Sequence, residues 1–150
     1  MFIRYERHID TPFEQVLEAF ASPSRVWVPE LAHDSAAGTA YVLSELGVGP
    51  VAKEVKMHLS EAYVRPGRAV IPLRIVATGS EGLFPELDAD LELLGDGEGA
   101  KLVLQGTYRL PLGHLGDLLD RKVLHHLRER SLNNFMDQVA TLLARAAVAA

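Results

Sequence analysis

An α+β domain in two layers, one antiparallel sheet with one long helix laid across it, is the fold this sequence predicts. From about Leu115 to Ala147 a helical pattern sets Leu118, Leu124, Phe135, Val139, Leu142 and Ala146 on one face. Between Ala40 and Leu110 the chain instead alternates with a period of two, the mark of strands with one buried face. A third observation bears on function. Arg121, Arg128 and Ser131 interrupt the apolar stripe of the helix. If that helix closes over the sheet, these polar groups face inward, which a hollow, partly polar interior accommodates better than a packed core.

The elements follow in order. Phe2 to Ile9 alternates as a first strand, with Ile3, Tyr5 and Ile9 in one phase and Arg4, Glu6 and His8 in the other. Thr11-Pro12-Phe13-Glu14 then announces a helix: Thr11 as cap, Pro12 at the first helical position, Glu14 completing a capping box. Phe13, Val16, Leu17 and Phe20 give it an apolar face, and Ser22-Pro23 ends it, because the residue before proline avoids helical geometry. Ser24 to Trp27 reads as a second short helical turn stopped by Pro29. His33 to Thr39 is polar and small. Strands are expected at Ala40–Leu46, Val51–Val64, Arg68–Thr78, Glu86–Leu94 and Lys101–Arg109. Pro66-Gly67 and Asp96-Gly97-Glu98-Gly99 supply turn chemistry between neighbours. In the cleanest strand Leu87, Ala89, Leu91 and Leu93 oppose Glu86, Asp88, Asp90 and Glu92, so the acidic side is expected to meet water.

Composition narrows the function. The 150 residues fit a single domain, 1–150, and 48% hydrophobic with 23% charged content is ordinary for a globular protein. Fifteen basic against twenty acidic residues, net −5, disfavour nucleic acid as the main partner, whose binding draws on Lys and Arg. An anionic membrane surface is disfavoured for the same reason. The absence of cysteine excludes disulfides, thiolate catalysis and Cys-based zinc sites. No apolar run approaches the ~20 residues of a membrane span. The start, Met1-Phe2-Ile3-Arg4, lacks an apolar signal core, so a cytoplasmic location is expected. Oligomeric state has no signature in the sequence.

This order of elements, with several local matches, resembles the SRPBCC superfamily. The superfamily includes START-like lipid carriers, pollen-allergen-like carriers and polyketide cyclase/dehydrase-like proteins. Ile9-Asp10-Thr11-Pro12-Phe13-Glu14-Gln15-Val16 resembles its opening strand-to-helix step, and Trp27 with Pro29 its aromatic-proline pair after the second short helix. Leu83-Phe84-Pro85-Glu86-Leu87, the run Gly106 to Gly116 and Leu119-Asp120-Arg121 resemble a bacterial branch of largely unassigned function. The resemblance spans essentially the whole chain. It implies a helix-grip fold: a curved antiparallel sheet of six or seven strands around a long C-terminal helix, with two short helices after the first strand. It also implies an internal ligand cavity. The superfamily has no common catalytic motif, so no catalytic residue carries over.

A cavity so built would be walled by Val55, Met57, Leu73, Ile75, Leu91, Leu104 and Tyr108, facing Arg128, Ser131, Phe135 and Val139, with Trp27 at its mouth. Apolar walls supply affinity and a few convergent polar groups set orientation. Each of these also has a plainer reading. The helix arginines can snorkel to the rim or pair with a sheet carboxylate; Trp27 can anchor its helix to the sheet; Tyr108 can satisfy its hydroxyl on backbone. Arg7, in phase with Tyr5 and Ile9, is a further inward cation, whereas Arg74 and His58 fall in the outward phase. Adjacent His125 and His126 diverge by ~100° and cannot readily share a metal; no His-Glu-x-x-His spacing occurs, so no metal and no cofactor are expected. No Gly-x-Ser-x-Gly elbow is present, and Gly95 to Gly99 is a hairpin rather than a phosphate loop. The sequence therefore predicts a carrier or binder of a small hydrophobic molecule. A cyclase/dehydrase-like enzyme acting on an aromatic or polyketide-like substrate in the same cavity is the alternative. The balance leans away from an enzyme, because spacing reveals no acid–base pair.

Overall fold

The computed structural model describes residues 1–23, 27, 32–34, 40–43, 55–77, 86–109 and 121–149, with backbone alone at 32–34, 40–43, 55–56, 77, 121–128, 130–131 and 149. The elements are β1 (Phe2–Ile9), α1 (Phe13–Ala21), β2 (Ala32–Asp34), β3 (Ala40–Leu43), β4 (Val55–Leu59), β5 (Tyr63–Arg65), β6 (Arg68–Ala77), β7 (Glu86–Asp96), β8 (Gly99–Arg109) and α2 (Arg121–Ala149). The strands form one antiparallel sheet in the order β1-β8-β7-β6-β4-β3-β2, with β5 pairing to β6 beyond the end of β4. α2 runs beside β1 and α1. This is the expected α+β architecture.

Alternation sorts the side chains as anticipated. Ile3, Tyr5 and Ile9 of β1, Leu87, Ala89, Leu91 and Leu93 of β7, and Leu102, Leu104 and Tyr108 of β8 all join one buried cluster with the helices. Asp88, Asp90 and His58 are exposed on the opposite face. Glu92 departs from the expected solvated acidic face: only 6% of it is exposed. It lies between Val70 and Val103 across the sheet and accepts hydrogen bonds on Oε1 from Arg68 Nη2 and Gln105 Nε2, both at 2.9 Å. Two donors make burial of that carboxylate tolerable.

Of the span Val51–Val64, expected as one strand, residues 51–54 lie outside the described residues and the rest is divided between β4 and β5. Residues 60 to 62 leave the ladder opposite Ile71 and Pro72, one residue against β6 in excess, which is a bulge. Ser60 N still donates to Pro72 O at 2.9 Å. The same edge of Pro72 therefore faces β4 and β5, and that edge lacks an N–H, so regular pairing has no donor there. β2 lies partly in the stretch read as merely polar; three residues carry too little alternation, and pairing with β3 decides its conformation. The two-residue turns are as expected: Gly67 has φ 73° after Pro66, and Gly97 has φ 61°.

α1 ends at Ser22-Pro23 as predicted, with Ser22 already extended. Its start does not form a capping box. Pro12 occupies the cap position without a side-chain hydrogen bond, and its carbonyl accepts from Gln15 N and Val16 N at 3.1 and 3.2 Å. Proline's preset φ opens the helix directly. The second short helix expected over Ser24–Trp27 lies outside the described residues except Trp27, as does the start expected near Leu115. Along α2, Leu132, Phe135, Met136, Val139, Leu143 and Ala147 are buried, whereas Leu142 and Ala146 are only partly so. The apolar stripe is thus turned by about half a residue step, at ~100° per residue, from the expected one. Leu142 and Ala146 flank it because the stripe is wider than one row of residues.

Candidate ligand-binding site

On the inward face of the sheet, side chains form rows crossing the strands, and three adjacent rows define the site. One row runs Tyr5, Leu104, Leu91, Ile71; another runs Tyr108, Leu87, Ile75, Met57. Between them lies Ile3, Gly106, Ala89, Leu73, Leu59. Gly106 and Ala89, the smallest of these, sit next to each other at its centre. They form a furrow in the floor, bordered by larger side chains. β7 and β8 come unusually close there: a Cβ built on Gly106 would overlap the Asp88 carbonyl oxygen and the Ala89 Cα.

Burial follows this relief. Met57, Leu91, Leu104 and Val139 have no exposed surface. Tyr5, Ala89, Tyr108 and Phe135 keep between 6% and 9%, and Gly106 is half-buried. The furrow and its aromatic borders thus keep some access, as Ala19 of α1 does at 8%.

Polar groups gather on one side, where β1 meets α2. Tyr5 Oη donates to Glu129 Oε1 at 2.8 Å, a phenol–carboxylate pair that is partly buried. Arg7 follows two residues along the strand. Its Nε donates to Asp137 Oδ1 at 2.6 Å and its Nη2 to Asn133 Oδ1 at 2.7 Å, while Nη1 reaches the Glu6 carbonyl at 2.8 Å. Arg7 does stand in the inward phase, as its position implied. Its charge is met by the helix, and the side chain, 26% exposed, lies at the rim. Arg74 is exposed on the outer face with Glu86 at 3.7 Å.

The expected wall residues Met57, Leu73, Ile75, Leu91, Leu104, Tyr108, Phe135 and Val139 all fall in the one buried cluster. Trp27 is fully buried with its ring stacked on Phe20, centroids 5.6 Å apart, and its Nε1 donates to the Phe20 carbonyl at 3.2 Å. That arrangement anchors Trp27 to α1. The side chains of Val55, Arg121, Arg128 and Ser131 lie outside the described residues.

Sequence reasoning missed Tyr5 and Glu129. A signal for them exists. Tyr5 has the inward phase of Ile3 and Ile9, and Glu129, Asn133, Asp137 and Thr141 recur at i, i+4 as a polar stripe beside the apolar one. Among the described residues no group of three or more His, Asp or Glu is placed to hold a metal ion, and no helix is long and apolar enough to cross a membrane.

No family model and no curated protein matches the chain. Solved structures do. An aromatase/cyclase from a Streptomyces species aligns over 98% of this chain and 93% of its own, at TM-score 0.64 and 13% identity. An uncharacterised protein from Rhizobium leguminosarum aligns over 97% and 95%, at TM-score 0.59 and 15% identity. The protein Ara h 8.0201 aligns over 96% and 98%, at TM-score 0.56 and 12% identity. At such identities the likeness speaks for backbone arrangement alone, and on that arrangement it agrees with the sheet order and the terminal helix: the chain has a helix-grip fold.

Proposed function

We propose that this chain binds a small, mainly apolar molecule between the sheet and α2, over the Gly106–Ala89 furrow. The observation that carries the reading is that small floor residues, some residual access and aromatic borders meet at one place in the core. An apolar ligand seated there would meet Tyr108, Leu87 and Phe135, with a polar end toward Tyr5 and Glu129. A fold relative named as an aromatase/cyclase is compatible with such an interior. Arg128 and Ser131 belong to the same proposal through their positions on α2. Filling the furrow tests it. Ala89→Phe should abolish binding of an anilinonaphthalene-type fluorescent probe while the far-ultraviolet dichroism stays native, and native mass spectrometry of the unaltered protein from its host should show a co-purifying apolar mass. A wild-type protein that carries no such mass and does not bind the probe would refute the reading.

The Tyr5–Glu129 pair supports a second reading, an enzyme of the cyclase/dehydrase kind. A phenol and a carboxylate within hydrogen-bond reach at the edge of an apolar interior can pass a proton to and from a bound carbonyl compound. Tyr5→Phe would then abolish turnover of an aromatic polyketide-like substrate while leaving its binding intact; under pure carriage the variant changes neither.

A further inference from the structure

We infer that the outer side of the β5–β6 hairpin is a second binding site, for a phosphate group, on the face of the sheet opposite α2. The Pro66-Gly67 turn sets Arg65 directly opposite Arg68, and the next pair outward on the same face is Tyr63 opposite Val70. These four side chains line a hollow of about 330 Å³. That volume lies at the lower end of the ~300–1,000 Å³ range of small-molecule sites.

The electrostatics of the hairpin point to an anion. Like charges facing each other across two strands repel and destabilise the pair. Arg68 spends one amino group on buried Glu92, at 2.9 Å. Among the described residues no carboxylate lies within ion-pair distance of Arg65. With Glu92 counted, the hollow keeps one net positive charge in a chain of net −5. A phosphate bridging Arg65 and the free amino group of Arg68 converts the repulsion into two charge-assisted attractions, and the planar guanidinium fork matches its oxygens. Tyr63, 67% exposed, and Val70 supply one apolar wall. The preferred occupant is therefore a phosphate ester with an apolar or aromatic body rather than bare inorganic phosphate. A soluble ester and a phospholipid headgroup both offer that chemistry.

Calorimetric titration of the full chain with phenyl phosphate, and co-sedimentation with phosphatidylcholine vesicles with and without phosphatidic acid, tell the sources apart. Saturable phenyl phosphate binding that weakens about tenfold in Arg65→Gln identifies a soluble ester site. Binding to the phosphatidic acid vesicles alone, again lost in Arg65→Gln, identifies a headgroup site. Because Arg65 is exposed and its charge opposes Arg68, the variant should melt no lower than the wild type, which separates loss of binding from loss of fold. Absence of binding in both arms, or binding that Arg65→Gln leaves unchanged, overturns the inference. Ala89→Phe, which tests the interior site, should leave this one intact.

Discussion

Glu6 stands on the outer face of β1, where Arg4 Nε and Nη2 both donate to its Oε1 at 3.0 and 2.6 Å. These hydrogen bonds hold its carboxyl below the ordinary carboxylate value, with a smaller contribution from the Lys101 ammonium 4.0 Å away. A depressed folded-state value means the contribution is fully present above the ordinary value and lost as pH falls through the depressed one. A carboxyl-resolved NMR titration should show the Glu6 midpoint below that of a free glutamate, and Arg4→Ala should return it; an unmoved midpoint would remove the role given to Arg4. Single residues were legible in the sequence as far as phase goes. The inward direction of Arg7 and the outward direction of Arg74 and His58 follow from alternation. Partners were not legible, because Arg7 meets Asp137 and Asn133 at separations of 130 and 126 residues, which only the folded chain brings together. Tyr5 and Glu129 went unpaired for the same reason, at a separation of 124.

Among the elements, β8 carries the tightest constraint. Gly106 faces the Asp88 carbonyl and Ala89 so closely that a methyl group has no room, and the obstacle is backbone rather than a side-chain tip that can swing away. Gly106→Ala should cost about 1–3 kcal/mol, the usual range for overpacking, measured as a lower midpoint in urea unfolding. A variant as stable as the wild type would show that β7 and β8 can separate there at no cost. Element type and order could be read from the chain because periodicity of 2 and 3.6 dominates it. Boundaries were lost where a single residue outweighs periodicity. Pro72, on the partner strand, separates β4 from β5, and Pro12 replaces the expected Thr11–Glu14 cap. Neither effect leaves a trace in the alternation of the strand or helix it alters.

At the scale of the molecule, the outer face is tied together by side chains across four strands. Arg4 Nη1 donates to Gln105 Oε1 at 2.8 Å, Gln105 to Glu92, and Arg68 to Glu92, linking β1, β8, β7 and β6. The inner face is mainly apolar, and its polar groups on β1, Tyr5 and Arg7, meet partners on α2. An interior cation on α2 thus becomes a test of the whole arrangement. If Arg128 lines a ligand chamber, Arg128→Leu should remove preference for an anionic fatty-acid-like probe and leave the melting temperature unchanged or raised. If Arg128 instead pairs with a sheet carboxylate, the same change should destabilise by roughly 3–5 kcal/mol. Melting curves with and without the probe separate the two, and a variant unchanged in both respects places Arg128 at the rim. The overall fold was legible because its two layers need only the right periods in the right order. The furrow was not. It arises from which small residues become neighbours across strands, Gly106 beside Ala89, and that register is a property of the assembled sheet.

The pairing of β1 with β8 also sets a clock. Phe2 finds its partner at Thr107, so β1, once it has left a ribosome, waits for about 105 further residues before its ladder can close. At ~5–20 residues per second that interval is roughly 5–20 seconds, long compared with hairpin closure. During it Ile3, Tyr5 and Ile9 have neither their sheet neighbour nor the helix that covers them. Contacts this distant in sequence also slow refolding of the finished chain, since the loop must close before any ladder bond rewards it. The β6–β7 and β7–β8 hairpins can form early, and the strand that bears Tyr5 is among the last pieces to be locked in.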